Sequence, residues 1–116
     1  MKLFRLTCSL LSVSAFAVGA PAATAQTLIN AEVKVTLIES SYLPDYIVFQ
    51  IDQDIGTCTV GTWMTYSPDH LSDPNARSSA VTGNLGVLLT ALTADRNIVL
   101  HVHDTDPCRV RHIYIK

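Results

Sequence analysis

Between Ala31 and Lys116 the hydrophobic period of the chain changes twice, from two residues to about 3.6 and back to two. That succession calls for a β-rich domain with one inserted helix. In AEVKVTLIE the alternation sets Ala31, Val33, Val35 and Leu37 on one face and Glu32, Lys34 and Thr36 on the other, which predicts a half-buried strand. SSYLPD supplies turn residues around Pro44, and YIVFQI reads as a short apolar strand rich in β-formers, closed by DQDIG. TCTVGTWMTY is expected to be a third strand, with Gly61 marking a bulge or a close approach of another backbone.

Residues 67–75, SPDHLSDPN, hold two prolines among turn-forming polar side chains and are expected to form a loop. Beyond it Val81, Leu85, Leu88, Leu89 and Leu92 recur at helical spacing, with Asn75 or Ser78 placed to cap the start. Gly83 and Gly86 each weaken a helix by about 1 kcal/mol relative to Ala. Tertiary packing must then supply the helix with its stability, unless the glycines serve close helix contact. NIVLHVHD and CRVRHIYIK, on either side of the turn DTDP, complete the set as two more strands. The expected order is β-β-β-α-β-β in one domain over residues 26–116. Short strands must hide their edges, and this is the element order of a five-stranded OB-like barrel. A curled antiparallel sheet with a helix on one face satisfies the same string.

Residues 1–25 are read as a signal peptide outside that domain. Lys2 and Arg5 form a basic start, Leu10 to Val18 an apolar core, and Ala23-Thr24-Ala25 a small-residue cleavage site, so the mature chain is expected to begin at Gln26. Cys8 precedes the apolar core, which argues against a lipoprotein signal. The product is expected to be exported, periplasmic or secreted, with no membrane span. Without Lys2 and Arg5, six basic side chains face ten acidic ones, a net charge of −4. That balance opposes a generic grip on nucleic acid or anionic lipid. Two cysteines remain, Cys58 and Cys108, and an oxidising compartment favours a disulfide between them. Closing a loop of that length stabilises by roughly 4 kcal/mol on the chain-entropy account.

The stretch HVHDTDPCRVRH is dense in chemistry-bearing side chains. His101, His103 and His112 are the candidate metal ligands, and His101 and His112 with Arg109 and Arg111 are the cast for hydrolysis of a phosphodiester. Both readings depend on strand register. A five-residue turn, HDTDP, sets Val102 opposite Cys108 and Leu100 opposite Val110, uniting the apolar residues on one side. This register is preferred. It sends His101 outward beside Arg109 and Arg111, whose charges oppose a cation, and parts His101 from His112. The histidines then read as solvated strand-face residues, and Asp104 and Asp106 as turn formers. No nucleophile motif is present; no catalytic activity and no cofactor are expected.

Trp63, Tyr66, Tyr42 and Tyr46 cluster around the second and third strands, beside Asp69, His70 and Asn75 in the adjoining loop. A lone tryptophan in a small barrel is most simply a core residue, the competing use being an exposed platform for a sugar or peptide. On the second reading Trp63, Tyr66, Asp69, His70 and Asn75 are the ligand-binding candidates.

The rows GTCTVGTWMTY, LLTALTADRNIVLHV and CRVRHIYI resemble the small exported OB-fold proteins related to the pentameric B subunits of bacterial AB toxins. In that group a cysteine on the third strand pairs with one late in the chain. The resemblance implies an oligomeric ring that recognises cell-surface glycans, and transfers no particular sugar-binding residues. The expected function is therefore a non-catalytic exported binding domain for a glycan or a cell-surface protein. The alternatives are a cell-envelope interaction protein without a small ligand and a small hydrolase or metal protein built on the His101–His112 hairpin. Mass spectrometry of the exported product should give a chain that starts at Gln26 and gains two hydrogens on reduction. An uncleaved start, or two free thiols, would contradict this assignment.

Overall fold

The computed structural model describes residue 19 and residues 27–116; the expected signal peptide and cleavage site lie outside the described residues, Gly19 apart. The elements are β1 (Leu28–Glu39), β2 (Ile47–Ile51), β3 (Met64–Tyr66), α1 (Pro74–Thr93), β4 (Asn97–His103) and β5 (Arg109–Ile115). The strands close into a barrel in the order β1-β2-β3-β5-β4, the arrangement of an OB-type barrel. All pairs are antiparallel except β3 with β5.

Closure rests on β1, which serves two neighbours. Its first half, Leu28 to Lys34, pairs with β4, and its second half, Val35 to Glu39, with β2. Between Val35 and Leu37 the register slips, so Thr36 is an extra residue and the strand bends. The slip corrects the simple alternation. Val33 and Val35 are buried, but Leu37 is 47% exposed and the half-buried Ile38 packs on the core in its place.

The third strand is also shorter than TCTVGTWMTY suggests. Ile55 and Cys58 exchange two backbone hydrogen bonds of 2.9 Å, Thr62 donates to the Thr59 carbonyl, and pairing with β2 begins only at Met64. Gly61 adopts φ +88°, and a Cβ there would meet nothing within 4 Å. Its role is the left-handed turn, not a close approach.

The helix begins at Pro74, within the segment expected to be loop, and Asp73 is its cap, accepting the Asn75 N–H at 3.0 Å. Asn75 and Ser78 lie inside the helix. Val81, Leu88 and Ala91 are buried, Leu85 packs partly against the core, and Leu89 and Leu92 face outward. The helix packs against β1, β4 and β5. A Cβ at Gly83 or Gly86 would meet nothing within 4 Å, so neither glycine serves close packing.

The core centres on Phe49, Ile47, Met64, Leu88, Ile98 and Leu100, all fully buried. The Cys58–Cys108 disulfide ties the loop before β3 to the residue before β5, with Cα atoms 5.2 Å apart. Among the described residues no helix is long and apolar enough to cross a membrane.

The β4–β5 register differs from the expected one. Ile98 opposes Ile115, Leu100 opposes Ile113, and His101 opposes His112; a one-residue slip then sets Val102 opposite Val110. Arg111 is the bulged residue. The slip keeps Ile98, Leu100, Val102, Val110 and Ile113 all buried while making the hairpin longer than HDTDP requires. Replacing Leu88 by Ala should cost about 2–5 kcal/mol in urea unfolding. The same change at Leu89 one position on should stay within about 0.5 kcal/mol.

Candidate functional site

The alternation of β3 decides which aromatics face solvent. Met64 and Tyr66 point into the core, which turns Thr65 and, just before the strand, Trp63 to the outside. Trp63 is 42% exposed and Tyr66 only 5%, the reverse of the expectation that Trp63 fills the core and Tyr66 carries binding. Burial raises the Tyr66 pKa, opposed by a hydrogen bond with the Asn84 side chain and the charge of Arg111. Tyr66 is a core residue, and the other four candidates, Trp63, Asp69, His70 and Asn75, lie at the surface.

The β1–β2 turn brings two more aromatics to Trp63. Asp45 and Tyr46 both donate backbone N–H groups to the Tyr42 carbonyl, and the resulting turn stacks the Tyr42 and Tyr46 rings at 4.8 Å and 15°. The Leu43–Pro44 peptide within it is cis. Trp63, Tyr42 and Tyr46 line a hollow of about 330 Å³ together with Glu39, Val48 and Thr65. Tyr46 also borders a polar hollow lined by Ser67, Asp69, Asn75 and Arg77. One continuous face therefore runs from an aromatic end to a polar one.

The polar end continues into a groove of about 290 Å³ between the β3–α1 loop, the end of β4 and the start of β5. Ser67, Asp69, His70, His103, Arg109 and Arg111 are among its lining residues. The Arg109 guanidinium pairs with the Asp69 carboxylate across the groove. Partial burial pulls the Asp69 pKa up, but hydrogen bonds from its own backbone N–H and from Arg109 outweigh it and hold the carboxyl below its ordinary value. The Nδ1 of His103 is buried and without a hydrogen-bond partner.

The hairpin histidines divide. His101 and His112, expected on opposite faces, are cross-strand neighbours on the outer face, their rings edge to face at 5.5 Å. Tyr114 leans on both. Rings at that distance touch each other instead of flanking a cleft, so the pair offers no room between acid and base for a scissile bond. His103 lies further along β4 and lines the groove. Among the described residues no three His, Cys, Asp or Glu side chains converge to hold a metal.

Neither the Trp63 exposure nor the histidine pairing was expected, yet the first had a signal: in WMTY the polar Thr65 marks the outer face and Trp63 shares its parity. The chain matches no known protein family, no curated protein and no solved structure.

Desolvation, the neighbouring His101 and the charges of Arg111 and His70 together hold the His112 pKa below its ordinary value. The unfolded chain therefore binds that proton more tightly than the folded one. The stability this gives is present above the ordinary imidazole pKa and is lost as pH falls through the lowered value. The thermal midpoint should fall between about pH 7 and about pH 5, and a His112→Gln variant should fall less over the same range.

Proposed function

We propose that this chain is an exported, non-catalytic binding domain that recognises a glycan on another surface through the face around Trp63. The observation that carries this reading is the exposure of the sole tryptophan beside the stacked Tyr42 and Tyr46 rings, at the margin of a polar hollow. Exposed aromatic rings cost a small protein solubility unless something covers them, and the C–H face of a sugar ring stacks on an aromatic plane while its hydroxyls reach polar neighbours. Asp69, Ser67 and Asn75 supply such neighbours.

The location agrees with the fold. In OB-type barrels the strand 2–3 face and the loops between strands 1 and 2 and between strands 4 and 5 take up oligosaccharides or oligonucleotides. The acidic excess of the domain disfavours the nucleic acid. This is an analogy of fold, and the side chains at the face make the argument specific. The resemblance to the B subunits of AB toxins extends the proposal to a ring of identical chains presenting several such faces, which raises avidity for a crowded surface.

Replacing Trp63 by Ala should weaken glycan capture at least tenfold on an array and in calorimetry, while leaving the unfolding midpoint nearly unchanged. Since Trp63 is the only tryptophan, its fluorescence should also respond to the captured sugar. Undiminished capture by the Ala variant would remove this face from the function.

A further inference from the structure

From Thr27 onward the chain has six Lys and Arg side chains, and five of them are bonded within it. Lys34 pairs with Asp95, Arg109 with Asp69 and Lys116 with Glu32, while Arg77 donates to the Ser72 carbonyl and Arg96 to that of Lys116. Arg111 is the exception: it is half-buried and has no acceptor among the described residues. The β5 bulge sets it there, since Val110 and Ile113 both turn inward and the extra residue between them turns out toward the groove.

His103, whose Nδ1 is buried and unpartnered, lines the same groove. A half-buried guanidinium without an acceptor lacks a partner that burial makes costly to forgo. An anion in the groove would supply one. Arg presents a planar fork of N–H donors that matches two oxygens of one anion, and His70, Ser67 and Thr105 add further polar groups at the rim.

We propose that the groove bordered by Arg109, Arg111, His70 and His103 binds an oxyanion group, a sulfate ester or a carboxylate, carried by the glycan. This rests on the glycan reading, because Ser67, Asp69 and Arg109 line both the groove and a further hollow, between β3 and β5, that reaches Tyr46. Asp69 and Arg109 neutralise each other, whereas Asp106 brings a second carboxylate to the rim. That carboxylate accepts from sugar hydroxyls and opposes a second negative charge, so one charge per group is preferred to two.

The test is a titration of the disulfide-bonded exported chain with sodium methyl sulfate, a singly charged sulfate ester, at constant ionic strength, followed by ¹H–¹⁵N NMR, beside sulfated and unsulfated sugars on an array. Saturable shifts are expected at the Arg111 Nε–H and at His103. Arg111→Gln should weaken methyl sulfate binding about tenfold or more, Arg111→Lys severalfold, because lysine keeps the charge and loses the fork, and Arg96→Gln not at all. If the Gln variant fails to fold, unchanged affinity in the Lys variant overturns the proposal. Neutral sugars captured through Trp63, with methyl sulfate shifts absent or indifferent to Arg111, would overturn the oxyanion site and leave the glycan reading standing. Saturable methyl sulfate binding lost in Arg111→Gln, with no sugar captured, would sink the glycan reading and leave the oxyanion site standing.

Discussion

The bend at Thr36 is the constraint on which the rest of the barrel depends. A straight twelve-residue strand pairs with its neighbours along one plane, whereas β1 has to leave β4 and join β2 within a single step of the backbone. One surplus residue provides that turn and lets the sheet meet itself. Everything downstream follows from the closure: β3 reaches β5, the disulfide spans their approaches, and the β1–β2 turn is carried over the outer face where Trp63 emerges.

Ion pairing at the surface reinforces the ends of this arrangement without deciding it. Lys116 and Asn97 both donate to Glu32, which joins the last residue to β1 and β4 and lowers the Glu32 pKa. Lys34 reaches Asp95 just after the helix, where Asp95 holds φ +52° and ends the helical run. Such exposed pairs contribute little individually. The apolar interior, continuous from Val33 through Phe49 and Leu100 to Val110, holds the barrel together.

The element order, the strand count, the single helix and the cysteine pairing were all legible in the sequence, because each rests on a period or a count that one-residue irregularities do not disturb. The side-chain directions were less so. Alternation is blind to a bulge, and both bulges lie where direction mattered most: at Thr36, which turns Leu37 outward, and at Arg111, which brings His112 opposite His101. The loop from Ile55 to Trp63 hid for another reason, since its Thr and Val residues have strand propensity and the turn depends on Gly61 and on a bond from Gln50 to the Gly61 carbonyl. The candidate surface was half visible. Its residues were named, but Tyr66 and Trp63 exchanged places because composition cannot rank two aromatics three positions apart.

The parallel seam between β3 and β5 joins only Thr65 with Arg109 and Tyr66 with Val110, residues separated by the whole helix and by β4. Contacts between such distant positions carry a larger loop-closure cost than those of the local hairpins and the helix. The aromatic hollow and the groove that holds Arg111 lie on either side of that seam, and Thr65 and Arg109 together line a further hollow between them. The face proposed to take up a ligand is consequently split until that pairing is made. On the proposed reading, only a chain that has closed its barrel presents that surface whole.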